Sequence, residues 1–265
     1  MTDATTTGYA PVNGLQMYYE VHGSGQPLVL LHGNLSTIGV DFGGIIPSLA
    51  KSRQVIAVEQ QAHGHTADID RPLTTQNWTD DTVALLRHLG VERADIFGYS
   101  SGSAVAMQIA LDHPELVGKL VLASASYRNE GLHPELMENI EEVRPEHLAG
   151  SPFEQDYARV APNPADWPKL IEKINEMNAN LPEWTADQVK AIAAPTMLII
   201  GDSDIVQPEH IVEMFRLFGG GVIGDLVGLP RARLAILPGT THVTLVQRHD
   251  WLSSMVGEFL DAEIS

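Results

Sequence analysis

Hydrophobic and polar positions along this chain follow two alternating patterns. Short apolar runs of strand length, at Pro27–Leu31 and Gln54–Val58, suit strands that are buried on both faces of a parallel sheet. Other stretches repeat their apolar residues at helical spacing, as in Trp78–Leu89, where Thr79 or Asp80 is the predicted helix cap. The pattern therefore predicts strands and helices that follow one another along the chain.

The first two predicted strands are the exception to this order. Asn13-Gly14, the favoured pair for a two-residue hairpin turn, separates Tyr9–Val12 from Leu15–Val21, so the chain is predicted to begin with an antiparallel hairpin. Strands and helices then alternate, which predicts a mostly parallel sheet with helices on both faces. The remaining predicted elements are the strands Ala94–Phe97, Leu120–Ala123, Thr196–Ile200 and Leu234–Leu237 and the helices Ser101–Asp112, His210–Phe218 and Trp251–Leu260.

A middle segment, residues 127–192, interrupts the alternation. It is rich in Glu and Pro and shows helical periodicity in Asp166–Asn178, which predicts a helical insertion over a core formed by residues 1–126 and 193–265. The large aromatic residues of this segment are candidate substrate contacts, although such residues pack in a core more often than they line a pocket. They are Tyr127, Phe153, Tyr157, Trp167 and Trp184.

Composition narrows the possible functions. The chain has 265 residues, 44% of them hydrophobic, which is enough for one large α/β domain. Its 34 acidic and 16 basic residues give a formal net charge of -18, which disfavours binding to nucleic acid and to anionic membranes. The absence of cysteine excludes disulfides and thiolate catalysis. No signal peptide and no apolar run of the roughly 20 residues needed for a membrane span is recognisable, so we expect a cytoplasmic protein without nucleic-acid or membrane partners.

The stretch IFGYSSGSA, residues 96–104, places two serines between glycines where a predicted strand ends and a predicted helix begins. So tight a turn forces its central residue into a strained conformation and requires small neighbours, which explains Gly98 and Gly102. Ser100 at the apex would project above the sheet, toward the free backbone N–H groups of the helix start. The stretch fits the G-x-S-x-G nucleophile elbow, but a Gly/Ser turn that only caps a helix would explain the pentapeptide equally well.

A serine nucleophile needs a base, and the base needs an orienting acid. Asp202 and Asp204 follow the predicted strand Thr196–Ile200, and His242 follows Leu234–Leu237. Asp204 is the preferred acid because it lies further out in its loop, whereas Asp202 can bond to local backbone N–H groups. Taken singly, Asp204 could cap a helix and His242 could be a polar loop residue. Their order after the elbow serine and their positions past strand ends predict a catalytic triad.

Together these residues resemble the α/β-hydrolase fold family, and the resemblance extends from Tyr9 to about Leu260. A further match is Leu30-Leu31-His32-Gly33-Asn34, which is similar to the family's His-Gly-x loop. The segment EQQAHGHT, residues 59–66, departs from the family's Asp-x-x-Gly-x-Gly-x-Ser pattern at three positions. Its histidines, His63 and His65, are interpreted as loop or surface residues rather than as metal ligands.

The resemblance implies an eight-stranded, mostly parallel sheet, and it makes residues 127–192 a helical cap. It also implies an oxyanion hole formed by the backbone N–H groups of Asn34 and Ser101, and it requires neither a metal nor an organic cofactor. Tyr99, next to the elbow serine, joins the candidate substrate contacts.

The resulting functional expectation is a serine hydrolase that cleaves a small, neutral, partly apolar carboxylic ester or lactone through an acyl-enzyme on Ser100. Serine at the elbow argues against the haloalkane dehalogenase and epoxide hydrolase branches, whose nucleophile is Asp. A carbon–carbon bond hydrolase, a cofactor-free perhydrolase and a receptor that binds a small molecule without turnover remain open alternatives. The expected partner is the small-molecule substrate, and a homodimer is left open.

Overall fold

The structure is a computed structural model that describes residues 5–137 and 143–263. Its strands form a single sheet and confirm the predicted alternation with helices. They are β1 Thr6–Val12, β2 Leu15–His22, β3 Gln26–Leu31, β4 Arg53–Val58, β5 Ala94–Tyr99, β6 Val117–Ala123, β7 Thr196–Ser203 and β8 Ala232–Thr241. The eight strands lie in the order β1-β2-β4-β3-β5-β6-β7-β8. Strand β2 is antiparallel to both of its neighbours, β1 and β4, and the other neighbouring pairs of this sheet are parallel, so the fold is the mostly parallel α/β architecture that was predicted.

The connections between the strands are mainly helical. The α-helices of the described residues are α1 Ile38–Phe42, α2 Ile46–Leu49, α3 Thr75–His88, α4 Ser101–Asp112, α5 Pro134–Met137, α6 Pro152–Val160, α7 Trp167–Asn178, α8 Ala186–Ala191, α9 Pro208–Leu217, α10 Gly224–Val227, α11 His242–Leu245 and α12 His249–Asp261. The described part of residues 127–192, which we call the insertion segment, contains α5 to α8 and no strand. Residues 138–142 of the predicted insertion lie outside the described residues.

Local sequence explains two element boundaries. Asn13 and Gly14 both have positive φ, 48° and 87°, as the tight turn between β1 and β2 requires. Helix α3 begins earlier than predicted, because Thr74 is its cap and its side chain accepts the backbone N–H of Asn77. The prediction of Thr79 or Asp80 as the cap is wrong, since both residues lie inside the helix.

Alternate strand residues build two hydrophobic layers, one on each face of the sheet. On β3, Val29 and Leu31 join the layer that contains α3, α4, α9 and the insertion segment. Leu28 and Leu30 point to the opposite layer, which contains α1, α2 and α12. The parallel strands are therefore covered on both faces, and their carboxyl ends meet at one edge of the sheet, where α/β folds place their sites.

In the described part of the chain, no helix combines the length and the apolar character needed to cross a bilayer.

Candidate active site

The turn between β5 and α4 has the strained geometry predicted for a nucleophile elbow. Ser100 has φ 54° and ψ -122°, a conformation that residues with a Cβ rarely adopt. The flanking glycines are required by close contacts: a Cβ on Gly98 would lie 2.2 Å from the backbone oxygen of Gly102, and one on Gly102 would lie 2.0 Å from that of Leu31. The turn is fixed further by Ser103, whose Oγ donates to the Ser100 carbonyl oxygen at 2.5 Å. The sequence thus folds so that Ser100 stands at the apex.

An acid and a histidine meet at the ends of β7 and β8. Asp204 follows β7, and its Oδ1 lies 3.1 Å from Nδ1 of His242. Its Oδ2 accepts the hydroxyl of Ser124 at 2.6 Å. Burial alone would raise the pKa of Asp204, but the hydrogen bonds from His242 and Ser124 outweigh it and hold the pKa below its usual value. Asp204 is thus a carboxylate, so Nδ1 of His242 carries a proton and Nε2 is the nitrogen free to act as a base.

The backbone and ring of His242 are held by Tyr99. The Tyr99 hydroxyl donates to the His242 carbonyl oxygen at 2.8 Å, and the two rings stack with their centroids 5.2 Å apart. Burial, together with the nearby carboxylates of Asp41 and Asp204, raises the pKa of Tyr99 well above its ordinary value, so its hydroxyl stays protonated as a donor. Ser100 and His242 border the same cavity, although the hydrogen bonds of the described residues include none between Ser100 Oγ and Nε2.

The loop after β3 leaves the backbone N–H of Asn34 without an acceptor in the described part of the chain, and the neighbouring N–H groups hold its shape. Gly33 donates its N–H to Oδ2 of Asp41 at 2.8 Å, and Leu35 donates its N–H to Nε2 of His63 at 3.1 Å. Among the described residues no acceptor takes the N–H of Asn34 or that of Ser101, and both residues border the cavity. This is the arrangement expected of two donors that await an oxyanion.

Three buried groups support this loop from below. Asp41 is 1% exposed, and burial raises its pKa although it accepts the Ser36 hydroxyl and the Gly33 N–H. The rings of His32 and His63 lie 5.0 Å apart, and Nε2 of His32 accepts the N–H of Gln60 at 3.1 Å. Burial lowers the pKa of His63 to about 3. His63 is thus a loop residue, as predicted, but it is a buried, neutral acceptor and not a surface residue. His65 is partly exposed and pairs with Glu59.

The cavity above the elbow has a volume of about 310 Å³. Its wall is mostly apolar, with side chains from the loop after β3, the start of α4, the ends of β6 and β8, and the insertion segment. The apolar lining residues include Leu35, Ala104, Leu132, Leu136, Val143, Met177, Leu181, Pro182, Trp184 and Ile205. Arg128 also borders it, but its guanidinium lies 2.9 Å from Glu213 and 3.4 Å from Glu130, so its charge is already compensated.

The structure places one of the six candidate aromatic contacts on this wall. Trp184 borders the cavity, and its indole N–H donates to Gln108 at 3.0 Å. Tyr99 supports His242, Tyr127 stacks on His210 and Tyr157 packs against Trp167, all outside the described lining. Phe153 is partly buried against the same hydrophobic layer. These five side chains contribute to packing, not to the described cavity wall.

Comparison with known sequences supports the fold assignment. The sequence model for the alpha/beta hydrolase fold matches residues 26–151, which span β3 to the elbow, helix α4 and the start of the insertion segment. The chain has the α/β-hydrolase fold. This hydrolase is 26% identical over 93% of its length to the 2-hydroxymuconate semialdehyde hydrolase of Pseudomonas sp. strain CF600, of which the match covers 91%.

Solved structures show the same fold over nearly the whole hydrolase. The meta-cleavage product hydrolase of Pseudomonas fluorescens IP01 superposes with a TM-score of 0.74 at 21% identity, covering 97% of each chain. The enol-lactonase of Burkholderia xenovorans LB400 superposes with a TM-score of 0.71 at 19% identity, covering 96% of this chain and all of the other. At this level of identity the likenesses establish the fold and leave the substrate open.

Sequence reasoning missed Asp41 and Ser124. Asp41 is an acid inside the apolar stretch IGVDFGGII, residues 38–46, and a charged residue in such a stretch signals a buried hydrogen-bonding role. Ser124 directly follows β6, and its hydroxyl donates to Asp204, the acid that follows the neighbouring strand β7. Its φ of 52° is a second strained position beside the elbow.

Proposed function

We propose that this hydrolase cleaves a small, neutral carboxylic ester or lactone through an acyl-enzyme on Ser100, with His242 as base and Asp204 as the orienting acid. The observation that carries the proposal is the convergence of a strained serine, a histidine paired to a buried carboxylate, and two unpartnered N–H groups on one cavity. The insertion segment, which supplies most of the apolar wall, acts as the cap that binds the substrate.

The geometry supports the following sequence of steps. The Ser100 oxygen attacks the substrate carbonyl carbon while its proton moves to Nε2 of His242, and the carbonyl oxygen becomes an oxyanion. The N–H groups of Asn34 and Ser101 stabilise that oxyanion, each by about 3 kcal/mol in comparable sites. His242 then protonates the leaving alkoxide, and the carbon–oxygen bond breaks. Water attacks the acyl-enzyme, gives its proton to Nε2, and the Ser100 oxygen leaves with that proton.

The charge of the cavity supports a neutral substrate. Arg128 is the one permanent cation among the described lining residues, and two glutamates already compensate it. A carboxylate entering this cavity would have to compete with Glu213 for the guanidinium, at the cost of its own hydration. An ester or lactone has no such cost.

A carbon–carbon bond hydrolase is the second candidate, because of the likeness to 2-hydroxymuconate semialdehyde hydrolase over most of the chain. Substrates of that type carry a carboxylate, which the compensated charge of Arg128 disfavours. The same triad would serve either reaction, so the two proposals are distinguished by which acyl group the cavity accepts.

The test is turnover of p-nitrophenyl esters, small lactones and a vinylogous 1,5-diketo acid by wild type, Ser100→Ala and Ser101→Ala. We expect turnover of esters or lactones that Ser100→Ala abolishes and Ser101→Ala, which keeps its backbone N–H, largely retains. Mass spectrometry after treatment with an organophosphonate should find the adduct on Ser100. Preferred turnover of the diketo acid would favour the second candidate, and tight binding with a single turnover would identify a receptor.

A further inference from the structure

One wall of the cavity carries a buried hydroxyl that has no partner in the described structure. Thr75, the first residue of α3, is 7% exposed and borders the cavity, and its Oγ1 makes no hydrogen bond. The cap of α3 does not use it, because Thr74 already accepts the N–H of Asn77 at 3.0 Å. The Thr75 hydroxyl is thus unused by the fold at the point where it meets the cavity.

Two further buried side-chain atoms of described residues that border the cavity make no hydrogen bond, Nε of Arg128 and Oδ1 of Asn34. Oδ1 of Asn34 is buried without a partner, while its amide nitrogen donates to Asn178 at 3.1 Å. A buried polar atom without a partner costs free energy that a valine at position 75 would avoid. In binding sites a few such atoms in an apolar wall fix the orientation of a ligand. The two unpartnered oxygens, those of Thr75 and Asn34, and the Nε of Arg128 therefore indicate a polar group on the substrate.

We propose that Thr75 determines substrate specificity: the substrate carries a hydroxyl group on the chain that fills the cavity, and Oγ1 of Thr75 binds it. This inference rests on the proposed function of the same site. A hydroxyl fits the available chemistry, because Oγ1 of Thr75 both donates and accepts, whereas Oδ1 of Asn34 accepts only. A hydroxyl is also neutral, which agrees with the compensated charge of Arg128.

The chain offers a matched control one helical turn away. Thr79 lies on the same helix, is 0% exposed and also has an unpartnered Oγ1, but it does not border the cavity. Replacing either threonine with valine removes a buried hydroxyl and keeps the side-chain shape. Only the change at Thr75 should alter the choice of substrate.

The experiment compares kcat/KM for p-nitrophenyl hexanoate with that for its 3-, 5- and 6-hydroxy derivatives. We expect the wild type to prefer one hydroxy isomer over the plain ester by about tenfold. Thr75→Val should reduce this ratio to about one, Thr75→Ser should keep the preference, and Thr79→Val should leave the ratio at its wild-type value. A wild type with no preference, or equal loss in both valine variants, would overturn the proposal.

Binding separates this inference from the proposed function. Calorimetry of the same esters on Ser100→Ala, with and without Thr75→Val, measures the preference without turnover. If the protein hydrolyses no ester but binds one hydroxy ester preferentially, and Thr75→Val removes that preference, the Thr75 site is supported and the proposed esterase function is wrong. If the protein hydrolyses esters but neither assay shows a preference for a hydroxy ester, only the proposal for Thr75 is wrong.

Discussion

Backbone strain at Ser100 should be measurable as a loss of stability. With φ 54° and ψ -122°, its Cβ is held in a conformation that costs roughly 1–3 kcal/mol. Ser100→Ala keeps the Cβ and the strain, whereas Ser100→Gly removes both. Glycine gains roughly 0.4–1 kcal/mol of entropy in the unfolded chain, which opposes folding. We therefore expect Ser100→Gly to be more stable than Ser100→Ala by about 1 kcal/mol. For a domain of this size that difference corresponds to roughly 2–4 °C in Tm.

The comparison has an internal control at the next residue. Ser101 lies in α4, where glycine is less stable than alanine by roughly 0.5–1 kcal/mol, so the order of the two substitutions should reverse there. Urea denaturation followed by the fluorescence of the four tryptophans gives the free energy of unfolding for all four variants. The reasoning would be refuted if Ser100→Gly were no more stable than Ser100→Ala, or if both positions showed the same order.

Three further predictions concern the groups around the elbow. Asp204→Asn should lower kcat by up to about 10⁴-fold, because the amide favours the wrong imidazole tautomer of His242. Asp202→Asn removes the acceptor of one of two β8 backbone N–H groups and should mainly lower Tm. A large loss of kcat in Asp202→Asn alone would contradict this assignment. Asp41→Asn leaves either the Gly33 N–H or the Ser36 hydroxyl without an acceptor, which should disturb the loop after β3. We expect kcat to fall about 10–100-fold with little change in KM. An unchanged kcat would show that this loop keeps its shape without the Asp41 carboxylate. The pKa of His63 is about 3 in the folded protein and about 6.5 in the unfolded chain, so between these values only the unfolded state binds the proton. The His63 contribution to the free energy of unfolding is therefore highest above pH 6.5 and falls by about 1.4 kcal/mol per pH unit as the pH drops toward 3. Unfolding free energies between pH 7.5 and 5 should fall less steeply in His63→Gln, and equal slopes would speak against a neutral His63.

The elbow and the hairpin could be predicted because local chemistry alone determines them. Gly98 and Gly102 are required by contacts of about 2 Å, and Asn13-Gly14 by two positive φ angles, so the residues themselves reveal the backbone. The start of α3 could not be predicted, because the apolar periodicity begins at Trp78, four residues after the cap residue Thr74. Capping depends on one side-chain hydrogen bond, which leaves no periodic signal.

The aromatic residues show the limit of sequence reasoning at the site. Helical spacing indicates that a residue such as Trp167 faces inward, but it does not say whether the interior at that point is a packed layer or a cavity wall. Tertiary packing decides this, and it buries Tyr157 against Trp167 while leaving Trp184 at the cavity. The support of Asp204 by Ser124 was equally out of reach, since it joins residues 80 apart along the chain.

The insertion segment does not have a hydrophobic core of its own. Trp167, Ile174 and Trp184 belong to the same continuous layer as Val105 of α4 and Leu120 of β6. A segment attached in this way cannot be exchanged as an independent module, because its removal would expose part of that shared layer to water. New substrate preferences in this protein would therefore have to arise by single substitutions at the cavity wall, each limited by the stability of the whole domain.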